Sequence, residues 1–251
     1  MTSTVDDQGI AEVVVNRPPV NALRVADWFD LATQIETLGR DPATRVIILR
    51  AEGRGFNAGV DIKEMQATEG FDALVGANRG CYAAFAAVYD CAVPVVAAVH
   101  GYCLGGGVGL VGNADIVVAS HDATFGLPEV DRGALGAATH LSRLVPQHRL
   151  RAMVYTAATI TAAELHHYGS VLEVVGGDDL RAATRRVATQ IAAKSPAVIR
   201  AAKESLNGID PWDVKRSYRF EQGFTFELNL SGVADEHRDA FVSKRETDTG
   251  R

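Results

Sequence analysis

Lysine and arginine form no block anywhere in this chain, and the formal net charge is -6. A surface that grips nucleic acid or an acidic membrane needs clustered cations, so neither partner is expected. Cysteine is scarce. Cys81, Cys91 and Cys103 have no C-x-x-C or other metal-type spacing. An odd count without a secretion signal fits a reducing compartment, and the expected location is cytoplasmic. Met1 to Asp7 is polar and acidic, unlike a signal or transit peptide. The most apolar run, Val93 to Val99, is far too short to span a bilayer. Repeats and low-complexity tracts are absent. So are the G-x-S-x-G elbow, the Walker loop and the H-E-x-x-H helix, which leaves serine-hydrolase, NTPase and zinc-protease chemistry without support. No metal is expected.

What is present is 251 residues, 47% hydrophobic and 22% charged, enough for one large domain or a core with a small appendage. Ile10 to Val15 reads as a strand, ended by Asn16-Arg17-Pro18-Pro19, because prolines cannot continue a central strand. Trp28, Leu31, Ile35 and Leu38 recur at helical spacing over Asp27 to Leu38. Val46 to Leu49 is a strand, followed by a glycine-rich loop and a polar helix from Ile62. Asn78 to Tyr89 reads as a helix, and Val95 to Val99 as a buried, β-branched strand. A loop over Gly101 to Gly107, a small-residue helix to about Gly112 and a strand from Ile116 to Ala119 follow. The alternation means α/β. Beyond Arg149 helices dominate. Thr161 N-caps one with Glu164 in the capping-box position, and Val171 to Val175 is a short strand. Helices are then expected over Asp178 to Lys194, Pro196 to Leu206, Pro211 to Leu230 and Val233 to Val242. The division expected is a core over 1–195 and a helical region over 196–251.

Gly101-Tyr102-Cys103-Leu104-Gly105-Gly106-Gly107 lies between a buried strand and a helix. Three consecutive glycines let backbone approach a ligand closely, and the helix start aims free N–H groups there. The segment is either such an anion site or a tight turn. Gly107, Gly109 and Gly112 match G-x-G-x-x-G, but seven residues separate them from the strand, so a dinucleotide site is rejected. A second glycine loop, Gly53 to Asp61, also follows a strand and opens a helix. If the two loops converge, each giving one N–H, they make a minimal oxyanion hole. Glu129 and Asp131 sit two residues apart beside Arg132, either as a solvated turn or as acid–base groups, with His140 further on.

Taken together, these segments resemble the crotonase (enoyl-CoA hydratase/isomerase) family. The likeness lies in Asn16-Arg17-Pro18 with Val20-Asn21-Ala22-Leu23, in Gly55 to Met65, in Ala97 to Gly107, in Asp115-Ile116, and in Ala123 through Glu129. Ala201-Lys203-Glu204 and Ala240-Phe241-Val242 continue it in order. The resemblance implies an α/β spiral of ββα units with a C-terminal helical trimerisation region. It implies a homotrimer or dimer of trimers and acyl-CoA substrates that bring their own coenzyme A, with no permanent cofactor. The thioester oxygen would be held by the N–H groups of Val60 and Gly106. The rest of the acyl-CoA would lie along Asn21, Ala22, Arg24, Ala58, Gly59, Val60, Asp61, Ile62 and Gly105.

Hydratases of this family carry two catalytic glutamates. One matches Glu129, but the other position is Gly109 here. Hydration is therefore doubtful, and Gly109 is expected to leave room for a bulky ring system. Asn57 to Gln66, Phe125 to Leu144 and Glu221 to Leu230 resemble more closely the steroid ring-D hydrolases of the family, which open the five-membered ring of a bicyclic dioxo-indene carboxyl-CoA with water. On that reading Glu129 and Asp131 are base and proton donor, with His140 third. The rival expectations are an enoyl-CoA hydratase or isomerase of fatty-acid oxidation, and an acyl-CoA-binding protein without catalysis.

Overall fold

A computed structural model describes residues 1–234 and 237. Its largest sheet has the order β1-β2-β3-β4-β6-β9, with strands β1 (Thr2–Val5), β2 (Ile10–Val15), β3 (Val46–Ala51), β4 (Val95–Val99), β6 (Ile116–Ser120) and β9 (Glu173–Val175). A smaller sheet has the order β5-β7-β8, from β5 (Tyr102–Leu104), β7 (Thr124–Gly126) and β8 (Thr159–Thr161). From β2 onward the large sheet is parallel throughout. Parallel strands need both faces covered, and the pleat divides each strand's side chains between two layers. Ile47, Leu49, Val95, Ala97, Val99 and Val117 face the main core with Trp28, Leu31 and Ile35. Their neighbours Val46, Ile48, Val96, Ala98 and Val118 face the opposite layer, under Leu180, Val187 and Ala188.

The helices are α1 (Val25–Arg40), α2 (Ile62–Ala67), α3 (Asp72–Tyr89), α4 (Gly106–Val111), α5 (Ala138–Leu141), α6 (Gln147–Thr156), α7 (Ala162–His167), α8 (Leu180–Ala192), α9 (Pro196–Ile209) and α10 (Val214–Leu230). Helices α1 and α3 pack together on the core side, and α8 closes the other face. Thr161 does cap α7, its hydroxyl accepting from the Glu164 N–H at 3.2 Å. The G-x-G-x-x-G glycines lie in or at the end of α4 rather than in a strand-to-helix turn. The dinucleotide reading is thus excluded by geometry as well as spacing.

Strand β1 was not expected. All four of its residues are exposed, so no burial pattern marks them, and main-chain pairing with β2 holds the strand as a sheet edge. Helix α3 starts at Asp72 rather than Asn78, and the expected loop over 101–107 contains β5. Of the expected helix over 233–242, only Val233, Ala234 and His237 are described. The Ala240-Phe241-Val242 motif lies outside the described residues.

Helix α9 docks through polar side chains. Lys203, 4% exposed, places Nζ at 2.8 Å from both carboxylate oxygens of Asp115, which also accepts the Val95 N–H. Arg200 donates to the carbonyls of Gly39, Asp41 and Thr44 at the end of α1. Its aliphatic residues Val198, Leu206 and Ile209 are more than 60% exposed. Helix α10 packs on α3 and α5, with Tyr218, Gln222, Thr225 and Asn229 buried along one face.

Candidate active site

Asn57 is the knot that ties the two glycine loops together. It is wholly buried, and its Nδ2 donates to the Asn21 carbonyl at 2.6 Å while its Oδ1 accepts the Gly59 N–H at 2.8 Å. Its backbone carbonyl accepts the Leu104 N–H at 2.8 Å. Asn21 takes the left-handed conformation, φ 54°, which asparagine tolerates better than most residues. Its Nδ2 donates to the carbonyls of Glu52 and Gly55, and its Oδ1 accepts the Arg17 N–H. These contacts occupy the Asn21 side chain inside the scaffold.

The loops converge. At Gly59, φ 87°, a methyl group would sit 3.3 Å from the Gly106 nitrogen. Leu23 bridges Val60 in parallel, using both its own N–H and its own C=O, to Gly59 and Asp61. The residue opposite in such a bridge uses neither group, so the Val60 N–H turns away from Leu23. Gly106 opens α4, where the first N–H groups have no intrahelical acceptor. Val60 and Gly106 line one cleft, of about 150 Å³. Ala58, Gly59 and Ile62 also line it. Ala22 and Arg24 flank the Leu23 bridge, and the Arg24 side chain is half-exposed beside Asp27. The Asp61 carboxylate instead caps α2, accepting the Lys63 N–H at 2.9 Å.

Glu129 projects from the 3-10 turn Pro128–Arg132 into the cleft. Its Oε1 lies against Gly105, where φ is 55° and any Cβ would collide with the carboxylate. Its Oε2 is buried without a hydrogen-bond partner among the described residues. Burial raises this carboxyl to about 7; its own backbone amide and the Arg132 charge oppose that rise, and Glu221 adds to it. A group poised there both takes and returns a proton near neutrality.

Neither of the other two expected acid–base groups reaches Glu129. In a 3-10 turn the side chains at i and i+3 eclipse, so Arg132 joins Glu129 in the cleft, whereas Asp131 points outward and is exposed. His140 is 2% exposed, packed edge-on to Phe85 at 4.9 Å and against Tyr218 at 4.8 Å. Asn113 meets its Nδ1 at 2.9 Å. Burial, reinforced by the Arg143 charge, depresses its pKa to about 3, so the ring is neutral near pH 7.

The space expected beside Gly109 is filled. A Cβ at Gly109 would fall inside the Phe85 ring, which stands edge-on to Trp28 at 5.8 Å. The glycine admits an aromatic of the core, not a substrate. The sequence also gave no role to Asn78 and Cys81 of α3, or to Tyr218, Thr225 and Asn229 of α10, all of which line the cleft. The signal for the α10 wall was a buried-face spacing over 218, 222, 225 and 229 in which polar residues outnumber apolar ones. No group of three potential metal ligands occurs among the described residues, and no helix among them is long and apolar enough to cross a membrane.

Residues 6–248 match the family described as enoyl-CoA hydratase/isomerase. A protein of Rhodococcus jostii (strain RHA1) is 68% identical over 242 residues, 96% of this chain and 94% of its own length. Another of Mycobacterium tuberculosis is 68% identical over 244 residues, covering 97% and 99%. Both are named (7aS)-7a-methyl-1,5-dioxo-2,3,5,6,7,7a-hexahydro-1H-indene-carboxyl-CoA hydrolase. Among solved structures, an enoyl-CoA hydratase/isomerase from Xanthobacter autotrophicus Py2 superposes with a TM-score of 0.86 at 26% identity, covering 98% of this chain and 93% of that one. Convergent backbone donors, a buried carboxyl beside them and a sequence match from end to end describe one lineage: this chain belongs to the enoyl-CoA hydratase/isomerase family.

Proposed function

We propose that this chain hydrolyses a C–C bond in the five-membered ring of a bicyclic methyl-dioxo-indene carboxyl-CoA thioester, a step of steroid catabolism. The reading is carried by the 68% identity, over nearly the full length, to two proteins named for that hydrolysis. The cleft supports it, with one buried carboxyl and an aromatic ring where a second acid would stand.

In the bicycle those names describe, the ketone at position 1 adjoins the methyl-bearing carbon 7a, and one double bond remains between 3a and 4. Water gives a proton to Glu129 and adds to the ketone carbon. The adduct collapses to a carboxyl group as the bond to 7a breaks. Its electron pair passes through the double bond to the thioester oxygen, where the Val60 and Gly106 N–H groups receive it. Glu129 then returns its proton to carbon, so one water is added and nothing else is consumed. A single lost donor of this kind costs about 3–4 kcal/mol of barrier. Coenzyme A arrives with the substrate and runs along Ala22, Arg24 and residues 58–62. Asp131 and His140 take no part.

Incubation with the bicyclic thioester, and with crotonyl-CoA in parallel, tests this reading by product mass. The expected result is one added water and a new carboxylate from the bicycle, with little change in crotonyl-CoA. Water added to crotonyl-CoA and none to the bicycle would overturn it.

We also propose that residues 1–195 form the spiral core and that the helical region from 196, besides lending α10 to the cleft wall, carries subunit contacts in a homotrimer or dimer of trimers. The aliphatic residues that α9 turns outward support this, with Phe220 and Leu230 of α10, both 70% or more exposed. Light scattering is expected to read three or six times the 26.7 kDa subunit mass. A Phe220→Glu, Leu206→Glu variant should lower it, and a monomer in the parent protein would refute the assignment.

A further inference from the structure

A second carboxyl, the half-buried Glu221 of α10, stands behind the cleft wall; burial raises its pKa, and the bonds it accepts from Thr139 and Ala138 oppose that rise. One oxygen accepts the Ala138 N–H at 2.8 Å, and the other accepts the Thr139 N–H at 3.0 Å and the Thr139 hydroxyl at 2.9 Å. One helical turn along, the Thr225 hydroxyl donates to the Leu135 carbonyl at 2.6 Å and accepts the Leu135 N–H at 3.2 Å. Residues 135–139 are thus fastened to α10 at both ends. Between the fastenings lies Ala137, held at φ 61°, and Gly136, where a methyl group would touch Glu129 Cγ at 3.8 Å. Leu135, Gly136 and Ala137 all line the cleft.

We propose that Glu221 is a positioning residue for the acid–base group: it fixes the wall against which Glu129 leans, and it sets a second carboxyl within electrostatic reach of the first. The proposal rests on Glu129 as the acid–base group of the reaction above. Among the described residues, four titratable groups face Glu129: the Cys81 thiol from α3, the Tyr218 phenol and the Glu221 carboxyl from α10, and Arg132 from its own turn. Burial raises Cys81 and Tyr218, which keeps both neutral. Glu221 and Arg132 act on Glu129 with opposite sign. Without the Glu221 charge, Arg132 is the charged neighbour left, and Glu129 holds its proton less tightly. Removing the Glu221 grip as well lets the wall drift, and small displacements of this kind cost on the order of ten- to a hundredfold in rate.

The variant is Glu221→Gln, which keeps the side-chain size and one accepting oxygen. The Glu129 carboxyl is titrated in the substrate-free full chain by carbon-13 NMR of glutamate-labelled protein, with Glu129→Gln assigning the signal. The expected result is a midpoint displaced to lower pH in Glu221→Gln, an equal displacement in the pH dependence of kcat/KM, and a KM for the thioester that changes little. An unmoved midpoint in the folded variant overturns the proposal. If that variant does not fold, Thr139→Val is titrated instead. It deletes a bond that favours the ionised form of Glu221, so Glu221 takes up a proton more readily and the Glu129 midpoint should again fall; an unmoved midpoint together with unchanged kcat overturns the proposal. The titration needs no substrate. Failure of the parent enzyme on the bicycle would therefore sink the hydrolase reading and leave this one to be decided by NMR.

Discussion

Glu129→Gln is expected to fold, to bind the CoA thioester, and to lose turnover by about two to four orders of magnitude. It is also expected to be more stable than the parent protein in alkaline solution. Both effects come from the same burial. The folded carboxyl titrates near 7, above the ordinary 4.5, so the folded chain holds this proton more tightly than the unfolded chain does. The stability that proton contributes is fully present below pH 4.5 and is lost as pH rises through 7. Glutamine is neutral at every pH and does not suffer that loss. Urea unfolding should therefore show a gain of up to about 3 kcal/mol for the variant near pH 9, vanishing near pH 4. In the parent, kcat/KM should fall as pH drops through about 7, because the ionised carboxylate is the base that water meets. Full turnover in Glu129→Gln would end its assignment as the acid–base group. Equal stability of the two proteins at alkaline pH would mean that the carboxyl is better solvated than its buried Oε2 indicates.

Gly109→Glu, the change that would restore the second acid of a hydratase, is expected to give no hydratase. Its side chain would start inside the Phe85 ring, and that ring is packed by Trp28, His140 and Tyr218 at centroid distances of 5.8, 4.9 and 5.2 Å. Overpacking a core of this kind costs about 1–3 kcal/mol, and a carboxyl forced into it without partners costs more. The measurement is thermal unfolding followed by the crotonyl-CoA assay. The expected outcome is a large fall in melting temperature with no hydration. Adding Phe85→Ala should return part of the lost stability by making room, which a surface explanation of the defect would not allow. A stable Gly109→Glu protein that hydrates crotonyl-CoA would show that the ring moves aside freely.

The approach of the two glycine loops to each other was legible in the sequence because glycine reports directly on backbone. Gly59, Gly105 and Gly106 are there to let main chain approach main chain or ligand, and that requirement survives without coordinates. Glu129 was legible as a family position, although the reason for its shifted proton affinity is three-dimensional. Gly109 shows the limit. A missing side chain says that something comes close, not whether it is substrate or a phenylalanine from a helix twenty-four residues earlier in the chain. Asp131 lies outside the cleft for a local reason, since the turn carrying it has a period of three and favours the arginine beside it. The burial of His140 is global in origin, because only the packing of α3 and α10 around it shows that it is sealed away. Strand β1 buries nothing and so left no pattern to read. The polar face of α10 was visible as spacing, but its use as a cleft wall depends on where the helix lands.

That wall has a consequence for how the protein comes off the ribosome. The two oxyanion loops are complete once residue 106 has been made, yet Tyr218, Thr225 and Asn229 arrive with α10. At ordinary synthesis rates of about 5–20 residues per second, the gap lasts on the order of ten seconds. During it the apolar side of α3 that faces the cleft, from Leu74 to Cys81, has no α10 over it. Until α10 emerges, that side of α3 presents its apolar residues to solvent and to any apolar surface it meets.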